Sequence, residues 1–528
     1  MPGPIEQKVR ARPTRRVLPV QVRSALASTA LPFLDAGKWL ALRSYPLFEL
    51  SATTPIPRWI EPLGARGGLR AALNAYRRVP AYRAFVDDSG WRDDPSLTGV
   101  ERLARFPVTD KKNYIIPFGT AARCIDGRIP LAGTQMDESS GSSGTPFDWV
   151  RGSMELGEMH RQFSQFARYV FGPSIVTING FSMGAWSTGV NTAEALHRNG
   201  LVKSPGPDLE KIVHTLQFLG PGYVYVLTGY PPFLREILEF GSERGLDWRP
   251  YRLFGVVGGE TMSEQLRDRL LESFIAVYSA YGASDLDIGV STETPLTIWL
   301  RRAAASDPEL RRQLFGDDPR LPMVLQYNPL DHHIEMIDGE LVVTVCRLSM
   351  LSPRIRYNVH DAGGNRSLRD VVDICRDFGL DPMAVETPDG RPPIRLPIMW
   401  VHGRSDSTIS YMGANIYPED VEQAIFADTD LAPRLGAFCL ELRDIGGGAV
   451  RPCVHVEVTE RQLDDGEIAT VLRRAVVARL ERNSLDFRAA VAENPTTAEF
   501  IVELHEPGQG PFAENSQRIK RRYIIPSA

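Results

Sequence analysis

Residues 138 to 150 read ESSGSSGTPFDWV, a run whose small side chains could hold an anion. Gly141 and Gly144 permit backbone angles that turn several N–H groups toward one point, and the hydroxyls of Ser139, Ser140, Ser142, Ser143 and Thr145 add donors. Such a nest suits phosphate oxygens. Ser/Gly clusters also form simple turns and interdomain spacers, so composition alone leaves these readings open. The run is not a Walker A loop: no lysine follows Gly144, and the alternation of Phe147 and Trp149 with polar Asp148 predicts a strand next, not a helix.

The neighbouring elements argue against a spacer. Apolar RIPLAG precedes the run, and Met159, Phe163, Phe166 and Val170 recur after it at helical spacing. Upstream, RVPAYRAFVDDSG and FPVTDKKNYI read as helical pieces, the second capped by Thr109, with Lys111 and Lys112 solvated. Downstream, YRLFGVVGGE and FIAVYSAYGASDLDIG are strand-like runs separated by the helical SEQLRDRLLESF. This βαβ grammar puts GGE and YGASD at the carboxyl ends of two strands, where open α/β sheets bind ligands. HHIEMIDGELVVTVC is a hairpin turning at Asp338-Gly339, and SPRIRYNVHDAGG supplies another strand with a polar end.

From about Gly403 the pattern changes. Pro418 stands like the first residue of a helix, AFCLEL and CVHVEV alternate as strands, IATVLRRAVVARL is an amphipathic helix and EFIVEL a last strand. The division expected is an N-terminal arm over residues 1–74, a large unit over 75–403 and a small α+β unit over 404–528.

A chain of 528 residues exceeds one ordinary core, and 43% hydrophobic with 24% charged residues is globular composition. A net charge of −5 gives no electrostatic reason to expect nucleic acid, leaving small molecules as the expected partners. Five cysteines without a CxxC argue against a disulfide framework and fit a cytoplasmic setting. Adjacent His332 and His333 point different ways along an extended chain and read as solvated or hydrogen-bonded imidazoles. Arg23, Asp35 and Lys38 interrupt the N-terminal apolar run, so an amphipathic arm is expected in place of a membrane span.

Taken in order, these pieces resemble the adenylate-forming enzymes, and within them the phenylacetate-coenzyme A ligase branch, over residues 75 to 528. SSGSSGTP matches the family's phosphate loop, which implies contact with the β- and γ-phosphates of ATP. Gly258, Gly259 and Glu260 fall at its adenine-side segment. Tyr281, Gly282, Ala283, Ser284 and Asp285 fall at a motif whose acidic end helps hold Mg²⁺, with Asp285 one methylene shorter than the family's glutamate. Either the backbone moves closer, a water intervenes or Asp287 substitutes. RYNVHDAGG is similar to the ribose-binding segment, implying a role for Asp361; His360 replaces the usual glycine.

GRSDSTISYMGANIYPEDVE is the strongest match. It implies that Arg404 lies near the nucleotide and that Asp406 is the hinge of a mobile small domain. The family's C-terminal catalytic lysine corresponds to Lys520, with Arg518 competing for the position. The acid pocket is expected around Phe181, Trp186, Tyr230 and Phe233, aromatics that core packing would also explain.

The resemblance thus implies an α/β fold, with a large mixed-sheet domain and a small α+β one. It implies activation of a carboxylic acid, aryl or arylacetic, to an acyl-adenylate. Transfer to coenzyme A would follow, with release of AMP and pyrophosphate. Transfer to an amine, or a nucleotide-binding protein without turnover, remain the alternatives. A homodimer is the family's suggestion.

Overall fold

A computed structural model describes residues 20–54, 60–97, 99–139, 147–259, 261–318, 320–385, 390–404, 409–427, 431–446, 449–458, 465–513 and 524–525. Its centre is an eleven-stranded sheet. One half is parallel and runs β4 (Gly200–Lys203), β3 (Ile175–Asn179), β5 (Val224–Gly229), β6 (Arg252–Gly258), β7 (Phe274–Ala283). The other half continues antiparallel through β8 (Asp287–Thr292), β9 (Met323–Tyr327), β13 (Ile398–Arg404), β12 (Tyr357–Arg366), β11 (Glu340–Val345) and β10 (His332–Ile337).

Sequence explains the two halves. Parallel strands carry crossover helices and are covered on both faces, so β3 is buried at every position. The outer antiparallel strand β10 alternates buried and partly exposed residues for most of its length. The predicted βαβ unit is present: β6 and β7 pair in parallel across the helix Glu264–Leu270. The predicted hairpin turns at Asp338 (φ 52°) and Gly339 (φ 83°), left-handed at both central positions as a type I′ turn requires.

The hairpin β1 (Gln135–Ser139) and β2 (Phe147–Arg151) stands apart from this sheet and leads into the helix Ser153–Phe171. That helix contains the predicted face. Its buried side also holds Glu155, Leu156, His160 and Ala167.

The helix Ile60–Arg78 buries Leu69, Ala71, Ala72 and Ala75 in the same cluster as Tyr82, Phe106 and strand residues Val343 and Met399. The boundary expected after residue 74 therefore falls within an element of the main core. Before it, the helix Val20–Ala41 lies against the body through an ion pair from Lys38 to buried Asp331. Among the described residues no helix is long and apolar enough to cross a membrane.

Beyond residue 408 come the small hairpin β14 (Ile409–Tyr411) and β15 (Ala414–Ile416), the helix Pro418–Ile425 and a three-stranded sheet. In that sheet β16 (Leu435–Gly446) pairs antiparallel with β17 (Ala449–Val458), which pairs parallel with β18 (Ile501–His505). The helix Asp465–Asn483 supplies Leu472, Val476 and Leu480 to a core shared with Leu440, Val454 and Val456. Pro418 is at the first turn as expected.

Near residue 109 the structure corrects the sequence reading. Asp110, not Thr109, caps the short helical turn Lys111–Ile115, in a reciprocal box with Asn113. Thr109 is buried, and its N–H bonds Arg356 O at 2.9 Å. Lys111 is not simply solvated either: its ammonium lies 4.4 Å from the centroid of the Phe147 ring.

Candidate active site

Five sequence motifs converge where the parallel half of the sheet meets the antiparallel half. Gly258, at the carboxyl end of β6, is in register with Ala280 of β7. One residue on, the Tyr281 hydroxyl donates to Asp361 Oδ2 at 2.6 Å, joining β7 to β12 across a separation of 80 residues. Asp361 is opposite Arg404 in the β12/β13 ladder. Arg151, at the base of the β1/β2 hairpin, donates from Nη2 to Ser284 O at 2.6 Å. The stem of the Ser/Gly loop is thereby pinned to the YGASD segment.

The stem is rigid for a physical reason. Arg151 also pairs with Asp137 across the hairpin at 2.7 Å, with both side chains at most 4% exposed. Low local dielectric strengthens such a hydrogen-bonded pair, and its loss would strand a buried charge. On the other strand, Glu138 N donates to Ala185 O at 3.0 Å, and Glu138 bridges to Trp186. Ser139 closes the ladder opposite Phe147. Ser140, Gly141, Ser142, Ser143, Gly144 and Thr145 lie outside the described residues, as do Glu260, Asp406, Arg518 and Lys520; of Arg404 only the backbone is described.

Asp361 is 8% exposed, and its contact with Tyr281 uses one of its several acceptor positions. His360, unexplained in sequence, has φ +63°, the left-handed region that a glycine adopts without strain. It is held there by its N–H on Asn358 Oδ1 at 2.8 Å and by its Nδ1 3.0 Å from Glu340 Oε2.

Asp285 and Asp287 divide clearly. Asp287 is fully buried, ion-paired to Arg347 and hydrogen-bonded by His332 Nε2 at 2.8 Å. Burial alone would raise its pKa, but Arg347 and His332 overcome this and hold the carboxyl well below the usual range. Asp287 thus has a structural role and does not substitute as a metal ligand. Asp285 is half-buried and accepts from the Tyr357 hydroxyl at 2.9 Å. One carboxylate with spare lone pairs fits a Mg²⁺ ion whose remaining ligands are phosphates and water.

The aromatic residues separate too. Phe181 and Tyr230 meet edge to face, centroids 5.7 Å apart. Phe233 belongs to the central core beside Leu227 and Leu253, so packing accounts for it. Trp186 is half-buried at the start of the helix Ser187–Leu196. Tyr230 has a place that sequence reasoning missed: a Cβ on Gly259 (φ +82°) or on Gly413 (φ +80°) would run into its ring. The ring is wedged between the GGE loop and the β14/β15 turn, and both glycines are required by backbone angle and by space.

The C-terminal segment touches this region directly. Ser182 hydrogen-bonds Glu493, and Asn494 hydrogen-bonds Glu236. Asp486 is buried with Lys111 and Glu138 as charged neighbours, and its Oδ1 has no hydrogen-bond partner among the described residues. Burial pushes its carboxyl up to about 7, against the pull of Lys111. An unfolded aspartate titrates near about 4, so the folded state keeps a proton that the unfolded chain releases. Stability contributed by this group therefore falls as pH rises from about 4 through about 7. D486N, neutral throughout, is expected to exceed wild type by roughly 4 kcal/mol at pH 8 and to match it near pH 4. Urea unfolding at the two pH values measures this, and equal stabilities at pH 8 would refute it.

No protein-family model matches the chain. The phenylacetate-coenzyme A ligase of Thermus thermophilus is 25% identical over 382 residues, covering 69% of this chain and 74% of the relative. That of Pseudomonas putida is 24% identical over 430 residues, covering 76% and 84%. Among solved structures, 2-hydroxyisobutyryl-CoA ligase with 2-HIB-AMP and CoA, in the thioesterification state, aligns with a TM-score of 0.60 at 16% identity, covering 90% of this chain and 91% of that one. The fold is that of the adenylate-forming CoA ligases. In a postadenylation state with 2-HIB-AMP, the same ligase aligns at a TM-score of 0.51 and 17% identity. The adenylate-forming fold accounts for the mixed sheet and for motifs gathered at the ends of β6, β7 and β12.

Proposed function

We propose that the protein is an AMP-forming acid-thiol ligase. It activates a carboxylic acid with ATP to an acyl-adenylate and transfers the acyl group to coenzyme A, releasing AMP and pyrophosphate. The observation that carries this reading is the convergence of Gly258, Tyr281, Ser284 and Asp361, drawn from separate parts of the chain, beside the stem of the Ser/Gly loop. The names of the relatives in two bacteria support the same chemistry.

In this reading the loop 139–145 receives the β- and γ-phosphates, the segments at Gly258–Glu260 and Tyr281–Ser284 flank the adenine, and Asp361 with Arg404 takes the ribose side. Positioning and charge neutralisation do most of the work in moving an adenylyl group. A carboxylate oxygen of the acid attacks the α-phosphorus, pyrophosphate leaves, and Lys520 stabilises the developing charge. Mg²⁺, held on the protein side by Asp285, would supply further neutralisation of the phosphates. The mixed anhydride is sensitive to water, so the C-terminal unit, residues 404–528, closes over it and turns about Asp406 to admit the thiol. Phe181 and Tyr230, which meet edge to face, are assigned with Trp186 to the acid pocket, an aromatic lining that favours an aryl or arylacetic acid.

Pyrophosphate release from ATP, scored over a panel of acids with and without coenzyme A, tests the proposal. An aryl or arylacetic acid is expected to give release together with a thioester. Release that is equally fast without thiol and yields no thioester would point to an amine acceptor. Tight ATP binding with no release for any acid would point to a protein without turnover.

A further inference from the structure

The three-stranded sheet of the C-terminal unit has two unlike faces. Alternation puts Leu440, Val454, Val456 and Leu504 toward its core, and sends Glu441, Arg443, Cys453, His455, Glu503 and His505 to the other face. Nothing in the ligase chemistry uses these groups. Register brings them together: Glu441 is opposite Cys453 in the antiparallel pair, and His455 is opposite Glu503 in the parallel one. Although it projects from the polar face, His455 is 2% exposed.

The hydrogen bonds fix the state of His455. Its Nε2 lies 2.7 Å from Glu441 Oε2, and a carboxylate can only accept, so Nε2 carries the hydrogen. In the neutral ring Nδ1 then keeps its lone pair. That lone pair faces His505 Nε2 at 2.9 Å, with Glu503 Oε2 at 3.6 Å from His455 Nδ1 and 3.8 Å from His505 Nε2. Donors around a tetrahedral zinc ion, at about 2.0 to 2.1 Å each, are about 3.3 Å apart, and these three separations bracket that value. Glu441 occupies the place of the carboxylate that orients a metal-bound histidine through its second nitrogen.

We propose that His455 Nδ1, His505 Nε2 and Glu503 Oε2 form a binding site for a divalent transition-metal ion of the zinc class, with water as the fourth ligand. Arg443 pairs with Glu503, its Nη2 3.0 Å from Oε2, and lies 3.4 Å from His455 Nε2. It therefore holds the carboxylate in place at some electrostatic cost to the metal. The Glu441 and Glu503 carboxylates against that one guanidinium leave the shell net negative, which a dication offsets. Glu457, whose two oxygens accept from Gly508 N and Ala437 N, lies outside the cluster of donor atoms formed by His455, Glu503 and His505. The site fastens β17 to β18. The turn Gly510–Phe512 folds back over it, with the Phe512 ring edge-on to His505 at 5.8 Å.

The test uses the full chain without a histidine tag, stripped with a chelator and titrated with Zn²⁺ against a chromophoric competitor, and with Co²⁺ for the visible spectrum of a tetrahedral site. One equivalent of Zn²⁺ is expected to bind and to raise the melting temperature. H505Q and E503Q, both at partly exposed side chains, are expected to weaken binding by at least about 10²-fold. C453S is expected to leave it unchanged. Melting of the metal-free variants at the wild-type temperature verifies that they fold. Failure of the wild type to bind one equivalent, or wild-type affinity in H505Q, would overturn the site and show the histidines to be a simple N–H···N pair. The readout is metal binding, so the result is independent of the ligase reading.

Discussion

Replacing Asp361 with alanine is expected to lower kcat/KM for ATP in adenylate formation by about 10²- to 10⁴-fold. A carboxylate accepting from ribose hydroxyls contributes roughly 1.5 to 3 kcal/mol per hydrogen bond, and two such bonds lost account for that range. On the proposed reading these contacts are made in the bound ground state as well as in the transition state, so the loss falls mainly on KM. A nucleotide control separates recognition from collapse of the site. Wild type should discriminate against 2′-deoxy-ATP, and D361A should lose much of that preference. An unchanged KM for ATP, or undiminished discrimination in D361A, would remove Asp361 from the ribose subsite. Y281F should show the same pattern more weakly, because Tyr281 positions the carboxylate through its 2.6 Å hydrogen bond.

The largest effect on stability is expected from Arg267. Its guanidinium pairs with Glu293 at 2.7 Å and donates to Val277 O, with its side chain 1% exposed and that of Glu293 0% exposed. The other carboxylate oxygen of Glu293 accepts from Ser279 N at 2.7 Å. The pair therefore ties the crossover helix Glu264–Leu270 to β7 and to the end of β8. Removing one partner of a buried pair leaves an uncompensated charge and costs about 3 to 5 kcal/mol. R267M should lower the unfolding free energy by that amount in urea denaturation. The double variant R267M/E293L should recover much of it, since apolar replacement of both partners spares the desolvation penalty. A loss below about 1 kcal/mol in R267M would show that water reaches Glu293.

The two predictions rest on features of different legibility. Strands with unbroken apolar runs, the helix between β6 and β7 and the Asp338-Gly339 turn follow from local sequence, because periodicity and left-handed turn residues are local properties. The cap at residue 110 illustrates the limit of that logic. Thr109 and Asp110 are both good caps, and the choice between them was made by the bond of Thr109 N–H to Arg356 O, 247 positions away in the chain. Lys111 likewise looked solvated until the β1/β2 hairpin brought Phe147 to it.

The site shows the same division. Tyr281 and Asp361 both stand in recognisable sequence motifs, but their hydrogen bond is a product of strand order. Arg151 carried no motif at all, and only its contacts with Asp137 and Ser284 O reveal that it secures the base of the Ser/Gly loop. The residue at 360 was unexplained because a backbone angle is invisible in a residue name.

Tyr230 links the GGE loop at the end of β6 to the β14/β15 turn. A side chain on either Gly259 or Gly413 would meet its ring, so both the GGE loop and the β14/β15 turn lie close against the same aromatic group. If the acid seats against that ring as proposed, thermodynamic reciprocity makes whatever it gains there also a bias on the posture of the β14/β15 turn, and the posture returns the same bias to the acid. Choice of acyl group and timing of domain rotation would then be one quantity measured from two ends.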